Sequence, residues 1–357
     1  MTILWFTLVL VSITAWMARY FSVATVKGPL FISPNKFLAI LAASSLVIVS
    51  GLRDNIGDTF FYKHSYLIDD FTWGTIIHGK DIGFNILQML LKQISDDPQI
   101  LIFTTALATN LLVAGVMFKY ARLYELSMYL YITTGAFIVS MNGIRQFLAA
   151  AVVFAATKYI FEGCWKRYLA VVLFASVFHQ SALVMIPIYF IVRRKAWTGM
   201  TFTFLALAVL IVVGFNQFSE LLFSAIKDTQ YGHYESFQEG GANYLRVIIS
   251  AIPVVIAFFG RVNLRKIFPH GDIVVNLSIL GVVLMIISTQ NWIFARLSIY
   301  FSLYQLLLFG WIVKLFREKD QKFVYLTVIA FYLIYFFYEN FIILDIQYLS
   351  KYLVWPL

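Results

Sequence analysis

The sequence predicts an all-α polytopic membrane protein with about ten full transmembrane helices. Three observations lead there. Of 357 residues, 61% are apolar and only 13% charged, about half the rough quarter typical of a soluble domain. The mean hydropathy is +0.82. Apolar stretches also recur along the whole chain at close to the roughly 20 residues that a helical span needs. Together these exclude a disordered chain, a collagen-like chain and an ordinary soluble enzyme.

The first stretch, 2–18, has no Lys or Arg ahead of it and no small-residue cleavage site, so it reads as a retained span. A second, 36–52, runs into Arg53. Then comes a polar segment, 53–98, beginning RDNIGDTFFYKHSY. Within it, Ile82, Phe84, Ile86, Leu87, Leu90, Leu91 and Ile94 fit one helical face. That pattern predicts an extracellular amphipathic helix near 82–94, lying at the membrane interface. Spans follow at 99–118, 126–141 and 144–161. The apolar stretch 168–192 is interrupted by His179, Gln180 and Ser181. Its two arms, of roughly 16 and 20 Å at about 1.5 Å per residue, are each too short for a hydrocarbon core of about 30 Å. It therefore reads as a short broken helical hairpin. Further spans are 198–217, 245–260, 272–289, 293–313 and 322–338, with a polar, Tyr- and Gly-containing segment at 216–244. No repeat, low-complexity tract or biased linker appears, so residues 1–357 read as a single membrane domain. Cys164 is the only cysteine, which excludes an internal disulfide and a zinc cluster.

The net charge of +9 resolves into topology. With the N-terminus outside and 168–192 returning to its own side, 18 of the 27 basic residues and 5 of the 18 acidic ones fall inside. This positive-inside pattern places both polar segments and both termini outside. The basic loops are short and serve topology, so no nucleic-acid partner is expected.

Against that bias, four arginines sit at outer span ends: Arg53, Arg145, Arg246 and Arg296. A planar guanidinium fork matches phosphate oxygens, so the four suggest an anionic, lipid-linked substrate such as a diphosphate. Snorkelling to headgroups is the alternative for each one. Asn142, Gln146, Gln180 and Asp81 are candidates to orient a sugar, although for Asp81 capping of the amphipathic helix is the stronger reading. His179, at a backbone break that membrane depth tolerates only beside protein or water, is a candidate general base or a hydrogen-bonded core residue. Asp58, after Gly57, is a second candidate base or a turn residue. The adjacent pairs Asp69–Asp70 and Asp96–Asp97 read as solvated charge. No P-loop, dinucleotide glycine pattern, GxSxG or HExxH is present. Neither a metal site nor a cofactor is expected.

The segments GLRDNIGDTFFY (51–62), DIGF (81–84), SDDPQI (95–100), NGIRQ (142–146), FHQSAL (178–183), IPIYFIVRRKAW (186–197) and IFARLSIYF (293–301) resemble the EpsG family of Wzy-like exopolysaccharide polymerases. The resemblance covers most of the chain, and NGIRQ followed by FHQSAL is its most specific part. It implies a glycosyltransferase of the bacterial cytoplasmic membrane that builds matrix polysaccharide at the outer face. The implied substrates are undecaprenyl-diphosphate-linked oligosaccharide and the growing polysaccharide. Membrane lipid, flippase and chain-length regulator proteins would be its partners. Taken with the residue pattern, Arg145 and Arg296 would hold the departing diphosphate, Arg53 or Arg246 would assist, and His179 or Asp58 would take the acceptor proton. Two other classes compete. A transporter or flippase for the same lipid predicts inverted repeats and midplane polar residues. A membrane acyltransferase predicts a donor arriving from the cytoplasm.

Overall fold

A computed structural model describes residues 2–24, 32–77, 79–226 and 240–353. Apart from one antiparallel pairing of Val23–Ala24 with Ile32–Ser33, the described secondary structure is helical. Two compact units emerge: Met1–Ile186 with Phe309–Leu357, and Pro187–Leu308.

In the first unit, α1 (Thr2–Tyr20) packs along α2 (Lys36–Gly51), whose first turn is capped by the Asn35 side chain accepting from Leu38 N–H at 3.2 Å. Three shorter helices follow: α3 (Thr59–Ile68), α4 (Trp73–Ile77) and α5 (Ile82–Lys92). The amphipathic pattern of α5 is used against protein. Phe84 and Leu91 are buried with Tyr66, Leu101, Ile102 and Ile144, while Ile82, Leu90 and Ile94 stay exposed. The expected interfacial helix is therefore packed by one stripe onto its own chain.

Next come α6 (Gln99–Tyr120), α7 (Tyr124–Thr133), α8 (Ala136–Asn142), α9 (Ile144–Ala155), α10 (Thr157–Glu162) and α11 (Trp165–Phe178). The expected break follows. His179 is extended (φ −159°, ψ 118°), and a 3-10 turn, Gln180–Val184, leads into α12 (Met185–Val192).

In the second unit, α13 (Gly199–Val213) meets α14 (Phe215–Ile226) at a 97° bend. Likewise α15 (Tyr244–Phe259) meets α16 (Arg261–Ile267) at 84°. Then come α17 (Gly271–Ser288) and α18 (Ile293–Ile312), the latter running back into the first unit, which α19 (Glu318–Phe337) completes. Ala208, Ile287, Ile293 and Phe294 form a core cluster of the second unit. Residues 227–239 of the expected polar segment 216–244 lie outside the described residues.

The span count differs from expectation. Among the described residues, six helices are long and apolar enough to cross a membrane, or eight if each bent pair is one span. The two stretches that drop out have identifiable causes. Helix α2 is only 16 residues long. Stretch 126–141 is divided at Gly135, whose φ of +86° ends a helix, and all ten residues of α7 are buried. A helix buried all round belongs to a protein core. By contrast, Phe6, Val9, Ile13 and Trp16 make an exposed apolar row on α1, as a lipid-facing helix requires.

The ends of the first unit are also sorted. Its C-terminal segment is strapped to the turn after α2: Tyr348 Oη donates to Val49 O at 2.8 Å, Asp54 N–H to Leu349 O at 2.8 Å, and Lys351 N–H to Asp54 Oδ2 at 2.7 Å. Ile3, Val49 and Leu353 line one shallow cavity. The start of α1, the C-terminal segment and the 53–98 segment thus share one end.

Candidate functional site

At that end, the break after α11 gathers side chains from four elements. Helix α5 approaches α11 closely because Gly83 has no side chain. A Cβ there would stand 2.6 Å from Val177 Cγ1 and 3.1 Å from Val177 O. This brings Asp81, the residue preceding α5, beneath the break. Asp81 adopts a left-handed conformation (φ 56°, ψ 53°) and its side chain does not cap α5. Instead its carboxylate accepts from Arg145 Nη1 at 2.9 Å and from Gln180 N–H at 3.4 Å. Capping by the side chain, the stronger reading of Asp81 from sequence, is not its role.

The pair is asymmetric. The Asp81 side chain is fully buried, whereas that of Arg145 is 40% exposed. Burial pushes the Asp81 carboxyl up, while Arg145, the Gln180 N–H and Lys80 pull it down. Arg145 also lies over the rings of Tyr62 and Phe84, at 5.7 and 5.9 Å from their centroids. The guanidinium is therefore held by a buried anion and two aromatic faces, with part of its surface accessible.

His179 continues the network. Its Nδ1 lies 2.7 Å from Ser181 Oγ and accepts the Ser181 backbone N–H at 3.4 Å. A backbone N–H can only donate, which places the proton of the neutral ring on Nε2 and lets Ser181 Oγ–H donate to Nδ1. Gln146 Nε2 in turn donates to Ser181 Oγ at 3.3 Å. Arg145 and Gln146 are neighbours in α9, so one helix contributes to both halves of the network.

Of the residues expected from sequence, Asp81, Arg145, Gln146, His179 and Gln180 are thus brought together. Asn142 and Asp58 meet at an adjoining place. Asn142 Oδ1 accepts the Asp58 N–H at 3.0 Å and presses on Gly57, whose φ is +53°. A Cβ on Gly57 would lie 2.2 Å from that oxygen. Asp58 precedes α3 without a side-chain capping bond.

Arg53 is placed otherwise. It is fully buried, its Nε donates to Thr59 Oγ1 at 2.9 Å, its Nη2 donates to Met141 O at 2.7 Å, and its Nη1 binds Ser50 O. Those bonds tie the ends of α2 and α8 to the start of α3, a framework role. Arg246 and Arg296 belong to the second unit. There Ala242 N–H donates to Ser288 O at 2.7 Å, which joins the start of α15 to the α17–α18 turn. Arg246 lies in the first turn of α15, and Arg296, in the first turn of α18, covers the Trp292 ring at 4.7 Å. These two arginines share one end of that unit.

Ser181, Tyr62 and Phe84 were missed as site residues. Ser181 carried a signal, its place two residues after His179. The two rings carried none, because an aromatic near a membrane interface is ordinary.

A second feature lies on the other side of α3. Tyr62 and Tyr66 face the core, and Phe60, Lys63, His64 and Leu67 line a cleft of about 380 Å³. Asp54, Asp97, Lys351 and Tyr352 also line it. The Phe60 and His64 rings are stacked at 5.8 Å and 6°. Among the described residues, no group of three or more His, Cys, Asp or Glu converges as a metal site would require.

No curated protein and no solved structure matches the chain. A sequence model of one family does, over residues 36–353, a range that takes in every residue of this network. The chain is a multi-pass membrane protein and belongs to the EpsG family, whose members are polysaccharide-polymerase-like.

Proposed function

We propose that this protein polymerises lipid-diphosphate-linked oligosaccharide units into exopolysaccharide at the outer face of the cytoplasmic membrane, with undecaprenyl as the lipid. The observation that carries this reading is the network at the His179 break. It sets one partly accessible guanidinium and one hydroxyl–imidazole pair around a single buried carboxylate.

In the proposed reaction, a hydroxyl of the acceptor unit attacks the anomeric carbon of the growing chain. The bond from that carbon to the diphosphate oxygen breaks as the new glycosidic bond forms. Negative charge then builds on the departing lipid diphosphate. Arg145, aimed by Asp81 and flanked by Tyr62 and Phe84, meets that charge, and fixed cations of this kind are usually a large catalytic contribution. The acceptor proton passes to His179 Nδ1 through Ser181 Oγ. Gln146 holds the serine hydroxyl in line. Asp58 is the second candidate base. His179 is favoured because it shares the network that orients Arg145. From the sequence alone, Arg246 and Arg296 are further candidates for phosphate contacts.

The cleft beyond α3 suits the sugars of the chain. Its two carboxylates and two ammonium groups balance, and stacked, exposed rings offer apolar faces to a polyol. A neutral cleft of this composition favours a sugar over a phosphate. Analysis of lipid-linked glycans in cells tests the class of reaction. Loss of a polymerase leaves single lipid-linked units outside. Single units trapped inside would instead mean a flippase, and long but unacylated polymer would mean an acyltransferase.

A further inference from the structure

The opposite end of the first unit holds a charged cavity that the proposed chemistry does not use. It measures about 370 Å³. Arg19 at the end of α1, Lys314 after α18 and Lys322 in α19 line it together with Glu125 at the start of α7. Glu125 is buried and already paired with Arg19. Lys314 Nζ donates to a neutral partner, Gln321 Oε1, at 2.8 Å.

Arg122, half-buried before α7, belongs to the same field. Its pKa is lowered by burial and then by the charge of Arg19, with Glu125 acting in the opposite direction. Lys314 feels Arg19 and Arg122 as like charges, and Glu125 and Glu318 as the opposing ones. Arg19, Arg122 and Lys314 thus gather around Glu125 in partly buried surroundings, with the exposed Lys322 at the edge of the cavity. Neither Arg122 nor Lys322 has an ion-pair partner among the described residues. Like charges gathered at such depth repel one another, and an anion is what relieves them.

The mouth of the cavity identifies where that anion comes from. Trp16 and Tyr20 line it, stacked on each other at 5.6 Å and both exposed. Amphipathic rings of this kind sit at headgroup level. Trp16 also ends the exposed row Phe6, Val9, Ile13 on α1, an apolar track leading away from the charges. Cations at headgroup depth above an apolar track match a phosphate with acyl chains attached, and basic pockets between membrane helices hold anionic lipid headgroups in this way.

We propose that this cavity binds the phosphate of an anionic phospholipid, in the leaflet that the charge distribution assigns to the cytoplasm. Arg19 is fixed by Glu125, while Lys314 and Lys322 contact the phosphate as point charges. This site is independent of the polymerase reading.

The test uses delipidated full-length protein in detergent and native mass spectrometry. Phosphatidylglycerol, phosphatidylcholine and inorganic phosphate are the probes. Phosphatidylglycerol is expected to bind at least about tenfold more tightly than phosphatidylcholine. The exposed Lys322→Gln variant should lose most of that preference, and Lys322→Glu should abolish it. Unfolding temperatures without lipid should match the unsubstituted protein, because Lys322 is exposed and outside every described ion pair. Equal binding of the two lipids, or an unchanged preference in both variants, would overturn the site. Inorganic phosphate binding as tightly as phosphatidylglycerol would overturn its assignment to lipid.

Discussion

Gly83→Ala probes the contact that places Asp81. Carbon atoms in ordinary contact stand about 3.5–4.0 Å apart, and the new methyl would lie 2.6 Å from Val177 Cγ1. The shortfall is about 1 Å. Rotation of Val177 relieves only part of it, because the Val177 carbonyl oxygen and carbon are at 3.1 and 3.2 Å and belong to the backbone of α11. Helix α5 must therefore withdraw by several tenths of an ångström. The Asp81 carboxylate to Gln180 N–H bond, at 3.4 Å, is already near the limit of a hydrogen bond, and it breaks first. Overpacking costs about 1–3 kcal/mol, offset by about 0.5–1 kcal/mol from replacing Gly in a helix. The net loss of stability should be about 0–2.5 kcal/mol. Activity should suffer more, since misplacing a catalytic group by about 1 Å can cost on the order of 10²-fold. The assay is thermal unfolding in detergent alongside polymerisation of purified lipid-linked repeat. Gly83→Ala with Val177→Ala should recover part of both. Full activity and an unchanged unfolding temperature for Gly83→Ala alone would mean that the close approach of α5 to α11 does not place Asp81.

Asp81→Asn should separate stability from turnover. The folded protein holds this carboxyl's pKa above its usual value, so its ionised form costs stability near neutral pH and that cost fades as pH falls. The amide removes the cost, and the unfolding temperature should hold or rise while chain growth slows. In the unsubstituted protein, activity should decline on the acid side from a pH above the ordinary carboxylate range, as a pH–rate profile would show. Arg53→Gln strips donors from Thr59 Oγ1 and Met141 O. At about 1–3 kcal/mol per buried group left unsatisfied, it should reduce folded yield in detergent. Ser181→Ala should change the unfolding temperature little, lower chain growth, and shift the pH profile, because His179 Nδ1 loses its hydroxyl donor.

The helical class was legible from composition. So was the break at His179, because three consecutive polar residues leave two apolar arms that are each too short to span. Span boundaries were less legible. Apolar runs mark burial but do not say whether lipid or protein does the burying. Helix α7 is covered wholly by its own chain, and Gly135 divides 126–141. Arg145, His179 and their neighbours could be suspected from their position at span ends. The partner of Arg145 could not be identified. Asp81 reaches it across 64 positions, through a helix approach that depends on Gly83. Arg53 shows the reverse. The same cue, an arginine at a span end, marks a buried fastener there, and only the carbonyl and hydroxyl partners around it reveal the difference.

In the proposed reaction, Arg145 meets the departing diphosphate while His179 takes the acceptor proton. A single-turnover assay with purified protein and lipid-linked repeat tests it most directly. Loss of one fixed cation or donor at developing charge costs about 10²–10³ in rate. Arg145→Ala should therefore slow chain growth by about 10²–10³, and Arg145→Lys should restore only a fraction, since lysine lacks the planar fork. His179→Ala should slow the step with the folded state intact. Chain growth at the unsubstituted rate in both Arg145→Ala and His179→Ala would mean that neither side chain acts in the transfer.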